Sequence, residues 1–260
     1  MSLLFAPWTL SLLVLALSFG GVWLWQLRSR NAGMVDPVWA LSLGALALVH
    51  GVFQDGHPLA RALVALGGGV WGLRLGLHLW RRNAGQPEDA RYTRLRQEWG
   101  AQADLKMLGF FGVQAVVSLL LAMAFAIPAG RETAPGFAAV LLALILWGVA
   151  VGGEALADRQ LRDFVAQPGS KGQVCRAGLW RYSRHPNYFF ECLHWVAYIP
   201  LAAGTGWTAW LTLLPPVLMA WLLVKVSGLP MLEEHLARSR PGYAEYQRTT
   251  SALIPWWPKR

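Results

Sequence analysis

The chain has little charge for its length and only two cysteines. Of its 260 residues, 14% are charged and 55% are hydrophobic, which is too apolar for an ordinary soluble domain and typical of a polytopic membrane protein. Cys175 and Cys192 have neither the spacing of a metal site nor the number that a disulfide framework needs. No basic residue precedes the first apolar run, which therefore favours a first membrane helix over a cleaved signal peptide.

Common catalytic and nucleotide-binding motifs are also missing. No glycine-rich nucleotide loop follows a strand, and there is no Gly-x-Ser-x-Gly, His-Glu-x-x-His or paired Cys-x-x-Cys motif. Close helix packing explains the Gly67–Gly69 run, which lies inside an apolar segment. Glu233, Glu234 and His235 are adjacent on a helix and do not face one ion, so we expect no metal site. The net charge of +9 comes from basic residues that alternate with apolar segments, which argues against nucleic-acid binding.

The chain does contain a series of long apolar segments. A membrane helix needs about 20 mostly apolar residues. Seven segments meet this requirement and predict an all-α integral membrane protein with seven transmembrane helices: 5–27, 34–53, 59–80, 107–129, 136–157, 187–204 and 207–227. We expect one membrane domain over 1–260, with substrate-side helices in 1–130 and a cofactor-binding part in 131–260.

The basic residues predict how these spans are oriented. Cytoplasmic loops carry an excess of lysine and arginine. With seven spans, 20 basic residues fall on one side and 2 on the other, while Arg74 lies inside span three. We therefore expect an external N-terminus and a cytoplasmic C-terminus, in a bacterial inner membrane. The long connections 81–106 and 158–186 are then the places for a soluble ligand, and the tail from Gly228 is expected to fold back over them.

The most informative stretch, residues 178–191, places charged groups at the start of the sixth apolar segment. Charged groups in a membrane helix are costly and usually functional. Arginines that open a helix with Pro186 in its first turn suit a phosphate-bearing ligand. We therefore expect an anionic cofactor at this helix end. Its polar residues are Arg181, Tyr182, Arg184, His185, Asn187 and Glu191.

Helical spacing arranges further polar residues in three stripes, which we expect to converge on a hydrated cavity at the cytoplasmic end. The stripes are Asn187, Glu191, His194 and Tyr198 on span six; Glu154, Asp158 and Arg162 on span five; and Trp71, Arg74, His78 and Arg81 or Arg82 on span three. Structural roles are the alternatives. Arg81 and Arg82 can anchor a span end, a single histidine can be a core residue, and Asp158 with Arg162 can form a plain ion pair.

With these motifs the sequence resembles the steroid 5α-reductase superfamily, in particular its bacterial branch. The matching stretches are Asp158–Arg162, Gly178–Phe189 with Glu191, Ser227–Pro230, Pro241–Tyr246, Ile254–Trp256, Val35–Trp39, Trp71–Arg74 and Glu88–Tyr92. The resemblance implies a seven-helix membrane enzyme that uses NADPH. It implies hydride transfer to the β-carbon of an enone lipid, steroid-like or isoprenoid, and protonation of the α-carbon.

The resemblance also implies roles for the polar residues. Asp158 and Arg162 would contact the adenosine end of the cofactor, and Asn187 and Glu191 would bind the nicotinamide carboxamide. The phosphates or ribose would contact Arg181, Tyr182 and Arg184. The remaining residues of the implied cofactor site are Arg74, Arg82, His185 and Tyr243.

The substrate end departs from the family pattern. The family has a Gln-Glu pair on the second span and a tyrosine on the third, which polarise the substrate carbonyl. Here Gln54 and Asp55 lie at the wrong membrane end, Asp36 is the acidic counterpart by spacing, and Trp71 stands at the tyrosine position. We take Asp36, Trp71 and Tyr182 as the candidate catalytic residues. Phe190 also stands where the family usually has glycine.

Two other functions remain open from the sequence. Membrane isoprenylcysteine and phospholipid methyltransferases, which bind S-adenosylmethionine, share the Arg-His-Pro-x-Tyr turn, and Glu233, Glu234 and Leu236 fit their pattern. The Asp158–Arg162 element with Asn187 and Glu191 favours the reductase. The chain lacks the Gln-Glu pair and the tyrosine of the family, so a non-catalytic protein that binds membrane lipids is the other alternative.

Overall fold

A computed structural model describes residues 6–226 and 229–259, and within them the chain forms helices without a β-strand. Ser227 and Gly228 of the Ser227–Pro230 motif lie outside the described residues. One isolated parallel β-bridge joins Ser183 to Ser251. The predicted all-α class is confirmed.

Most helices follow one another with short connections, and a long connection joins α7 to α8. The α-helices are α1 (Ala6–Ser29), α2 (Val35–Phe53), α3 (Pro58–Asn83), α4 (Ala90–Trp99), α5 (Ala103–Leu121), α6 (Met123–Ala129), α7 (Phe137–Val165), α8 (Pro186–Val196), α9 (Ile199–Ala202), α10 (Leu214–Trp221), α11 (Leu229–Ser239) and α12 (Tyr243–Thr249). The 3₁₀ segments are Ala32–Met34, Gly100–Gln102, Gly178–Arg181 and Gly206–Leu213, and a π-helical segment covers Leu222–Val226.

Six helical stretches of the described residues are long and apolar enough to cross a membrane. They are Ala6–Ser29, Ala32–Phe53, Pro58–Asn83, Ala90–Ala129, Phe137–Val165 and Gly206–Val226. Each overlaps one predicted span, so the prediction of a membrane protein with several transmembrane helices is confirmed.

The predicted sixth span, 187–204, does not form one long helix. It consists of α8 with 11 residues and α9 with 4. Eleven helical residues extend about 16 Å, roughly half of the hydrocarbon thickness. The proline ring of Pro200 would clash with the carbonyl of Val196, the last residue of α8. The count of seven spans is therefore not confirmed, nor is the orientation that depends on it.

The chain divides into two compact units. The first contains the described residues of Met1–Gly136 and Leu201–Pro215, and the second those of Phe137–Pro200 and Pro216–Arg260. In the first unit α1, α3, α5 and α6 all pack against α2. In the second unit α8 packs against α7, and α11 contacts α12.

Glycines allow α2 and α3 to approach each other closely. A Cβ atom on Gly72 would lie 2.6 Å from the Cα of Gly44 and 2.8 Å from the carbonyl oxygen of Ala40. A Cβ atom on Gly68 would lie 2.3 Å from the Cβ of Ala47. The prediction that close helix packing explains the Gly67–Gly69 run is confirmed at Gly68.

Gly72→Ala is expected to lower stability by about 1–3 kcal/mol, because the added methyl group meets backbone that cannot move aside cheaply. The measurement is the thermal unfolding midpoint of purified protein. Gly112→Ala on α5 is the matched control, since a Cβ atom there meets nothing within 4 Å, and it should be neutral or slightly stabilising. Equal midpoints for the two variants would contradict the close α2–α3 contact.

Candidate functional site

The turn formed by residues 178–185, which leads into α8 in the second unit, is anchored to α7. The backbone N–H of Leu179 donates to Oε1 of Gln160 at 2.9 Å. The indole N–H of Trp180 donates to the Ala157 carbonyl at 3.0 Å. After the turn, α8 begins at Pro186, a position where the missing N–H of proline costs nothing.

The C-terminal segment holds the same turn from another side. Tyr246 is buried, and its hydroxyl donates to the carbonyls of Trp180 and Ser183. Further bonds run from the Ser183 hydroxyl to the Leu253 carbonyl (2.8 Å), from the Arg184 N–H to the Ser251 carbonyl (2.8 Å) and from the Trp256 N–H to the Tyr182 carbonyl (2.9 Å). The expectation that the tail folds over the 158–186 connection is confirmed at this turn.

Glu233 on α11 joins the turn to the C-terminal segment. Its carboxylate accepts hydrogen bonds from Nε of Arg184 at 2.7 Å and from Nε2 of Gln247 at 3.0 Å, and it lies 3.0 Å from Nε2 of His185. Burial opposes the charge, but the bonds with His185, Arg184 and Gln247 outweigh it and lower the pKa of Glu233 to about 2. We call these four residues the Glu233 cluster.

Arg184 uses four of its five N–H donors in bonds to this cluster and to adjacent backbone. Its Nη2 also contacts Glu233 at 3.2 Å, and its Nη1 donates to the carbonyls of Gln247 (3.0 Å) and Thr250 (2.6 Å). A two-donor contact of Arg184 with a phosphate would therefore require the release of one of these partners. Tyr243 is buried beside the cluster, and burial, followed by the charge of Glu233, raises the pKa of its hydroxyl.

Two other predicted arginines expose their guanidinium groups. The side chain of Arg162 is 64% exposed and approaches Asp163 at 4.0 Å, rather than Asp158. Arg181 is exposed and lies over the ring of Tyr182, 6.0 Å from its centroid. The Tyr182 ring also meets Trp257 edge to face at 5.3 Å. These two arginines are accessible to an anionic ligand.

The stripes predicted on spans five and six meet in the second unit. Nδ2 of Asn187 donates to Oδ1 of Asp158 at 3.4 Å. Oδ1 of Asn187 is buried and has no hydrogen-bond partner among the described residues. One turn further, Oε1 of Glu191 accepts the indole N–H of Trp195 at 3.0 Å. The side chains of Asp158 and Glu191 are both buried, so the site combines two buried acidic groups with an amide acceptor.

Phe190, which departs from the family pattern, packs on a glycine of α7. A Cβ atom on Gly153 would lie 2.4 Å from Cε1 of Phe190. The phenyl ring therefore occupies space that α7 leaves open by having glycine at position 153.

The predicted catalytic Asp36 belongs to a polar cluster of the first unit. Its carboxylate accepts a hydrogen bond from the Tyr92 hydroxyl at 2.5 Å and pairs with Arg91 at 2.6 Å, while Arg82 lies at 3.9 Å. Tyr92 is buried on α4. The sequence pattern does not predict Tyr92 as a site residue, because 81–106 has the polar composition of a connection between spans. The available signals were the Glu88–Tyr92 match and Asp89, which caps α4 by accepting the N–H of Arg91.

The other predicted residues of the first unit lie on α3. Trp71 is fully buried and meets Trp39 edge to face, with 6.3 Å between ring centroids. Arg74 is half-buried. The convergence of this stripe with those of α7 and α8 stays a prediction. Within the described part of the chain, no three His, Cys, Asp or Glu side chains are grouped to hold a metal ion.

Comparison with known proteins identifies a family whose match covers most of the chain. The family DUF1295, described as a protein of unknown function, matches residues 22–250. An uncharacterized protein of Schizosaccharomyces pombe is 28% identical over 280 residues, which cover 96% of this chain and 80% of the yeast protein. No solved structure matches significantly. Because the family match extends from within α1 to the end of α12, the protein belongs to the DUF1295 family.

Proposed function

We propose that the protein is an NADPH-dependent membrane reductase that transfers hydride to the C=C bond of an enone lipid, as the resemblance to the steroid 5α-reductase superfamily implies. The observation that carries this proposal is the buried, unpartnered Oδ1 of Asn187. A buried acceptor without a partner is costly, and a carboxamide N–H would satisfy it.

The polar side chains of the second unit are of the types that can bind NADPH. Asn187 and Glu191 would hold the nicotinamide carboxamide, and Asp158 orients Asn187 through their hydrogen bond. The exposed guanidinium groups of Arg162 and Arg181 would bind phosphates, since arginine binds them with paired donors. When bound, NADPH supplies the hydride. Arg184 and His185 take a positioning role in this proposal, because Glu233 occupies them.

The proposal gives Asp36 and Tyr92 of the first unit a structural role, because the Tyr92 hydroxyl donates its hydrogen bond to the Asp36 carboxylate. Trp71 is not assigned as the acid either, because an indole N–H donates a hydrogen bond but does not act as an acid at neutral pH. The proposed substrate is a small apolar lipid that enters from the membrane.

The proposed location is a bacterial inner membrane, with the cofactor site on the cytoplasmic side. Support comes from the basic residues, of which 20 would be cytoplasmic and 2 external with seven spans. A cytoplasmic site has direct access to NADPH.

Thermal unfolding of the purified protein with NADPH, NADH and S-adenosylmethionine tests the cofactor class. We expect NADPH to raise the midpoint most, because its additional phosphate can bind an arginine. A ligand that binds only the folded protein stabilises it by about 2.7 kcal/mol at 100 times its Kd.

The other outcomes each favour a different protein class. Stabilisation by S-adenosylmethionine without a response to NADPH would favour the methyltransferase. No response to any of the three ligands would favour a non-catalytic lipid-binding protein.

A further inference from the structure

A groove of about 740 Å³ lies in the first unit between α1, α2 and the end of α3. This volume is in the usual range of ligand sites, about 300–1,000 Å³. Most of its wall is apolar, and two tryptophans contribute to it. The wall includes Val22, Trp25, Val38, Leu41, Ala45 and Trp80.

This groove is separate from the residues assigned to the reductase. At 100° per residue, Ala45 in its wall lies on the side of α2 opposite Asp36. None of the lining residues belongs to the predicted cofactor or catalytic set. The three helices that form the groove are candidate membrane spans, so a membrane lipid can reach it directly.

One end of the groove is polar, and the Glu88 carboxylate beside it, which accepts the Ala32 N–H, is paired with Arg96. Asn31 and Asn83 line it, and their amides hold the adjacent backbone, with Asn83 Nδ2 donating to the Gly33 carbonyl at 2.8 Å. None of the lining residues is acidic. Arg28 lies just outside this lining, follows Trp25 of the wall by three residues on α1, is exposed, and forms no ion pair within the described part of the chain.

We propose that this groove binds one anionic phospholipid, with an acyl chain along α1 and α2 and its phosphate at Arg28. An apolar wall explains the chain, because burying methylene groups is favourable. Tryptophan and arginine near the ends of membrane helices suit the headgroup region. Gly21 lines the groove, and a Cβ atom there would meet nothing within 4 Å, so the chain has open space at this point.

Gly21→Phe tests the proposal by filling the groove, and Gly20→Phe is the matched control. Gly20 precedes Gly21 on α1 and also has open space around a Cβ atom, but does not line the groove. The full-length protein in detergent is titrated with dioleoylphosphatidylglycerol, and bound lipid is counted by native mass spectrometry. We expect Gly21→Phe to raise the Kd at least tenfold and Gly20→Phe to change it less than twofold.

A second phospholipid and two further variants test which part of the lipid the groove recognises. Dioleoylphosphatidylcholine, with the same chains but no net charge, should bind wild type several-fold more weakly than dioleoylphosphatidylglycerol. Arg28→Gln should remove this difference. Ala45→Leu fills the groove from α2 and should also raise the Kd if Gly21→Phe does not fold.

Three results would overturn the proposal. The first is equal affinity in Gly21→Phe and Gly20→Phe, or in Ala45→Leu and wild type. The second is equal affinity of wild type for the two phospholipids. The third is displacement of the phospholipid by glycerol 3-phosphate, which has the phosphate but no chain.

Discussion

Glu233→Ala is expected to destabilise the second unit by about 3–5 kcal/mol, the usual cost of removing one partner of a buried ion pair. The side chains of Arg184 and Glu233 are only 11% and 15% exposed. The substitution leaves the Arg184 guanidinium without its carboxylate and removes the partner of His185. Thermal or chemical unfolding of the purified protein measures the loss.

Two further variants test whether the loss of stability is specific to Glu233 or follows the removal of any glutamate on α11. Glu234→Ala removes the neighbouring carboxylate, whose ion pair with Arg238 is exposed, and should cost less than about 1 kcal/mol. Arg184→Met combined with Glu233→Ala should be more stable than Glu233→Ala alone, because no unpaired charge remains. Similar losses for Glu233→Ala and Glu234→Ala would contradict a structural role for the Glu233 cluster.

The same carboxylate makes stability depend on pH in acid. The pKa of Glu233 falls from an ordinary value of 4.5 to about 2 in the folded protein. Its contribution is therefore fully present above about pH 4.5 and is lost as the pH falls towards 2. Wild type should lose more stability than Glu233→Ala between pH 5 and pH 3, and equal losses would show that Glu233 is not stabilised as the anion.

The sequence predicts the long helices well because their signal is local. Length and apolar composition identified segments such as 5–27 and 136–157, which overlap α1 and α7. The same signal failed at 187–204, where composition is apolar but Pro200 interrupts the helix. It also missed α4, a short polar helix whose N-cap at Asp89 is a weaker pattern than an apolar run.

The polar clusters were harder to predict because their members are distant in sequence. Helical spacing relates residues three or four positions apart and places Asn187 and Glu191 on one face of α8. Glu233 lies 48 residues after His185, and Tyr92 lies 56 residues after Asp36. No local pattern joins such pairs, so the sequence predicts phosphate binding for Arg184 and does not predict Tyr92 as a partner of Asp36.

Glu191→Gln is expected to weaken NADPH binding much more than it changes folding. The glutamine keeps an oxygen that can accept the indole N–H of Trp195, which Glu191 binds at 3.0 Å. A buried charge is removed at the same time, so the apo protein should be as stable as wild type or slightly more stable. Loss of a charge-assisted bond to the carboxamide should lower the affinity by about 1.5–3 kcal/mol, which is about 10- to 150-fold in Kd.

Fluorescence titration with NADPH measures this affinity, and thermal unfolding without ligand measures the apo stability. Glu234→Gln is the matched control, because it makes the same chemical change at an exposed carboxylate of the second unit. Tyr188→Phe, adjacent to Asn187 but off the polar stripe, should also bind NADPH like wild type. If Glu191 instead stabilises the fold, the apo protein will melt earlier while the NADPH affinity stays the same, and Glu191 then has no place in the cofactor site.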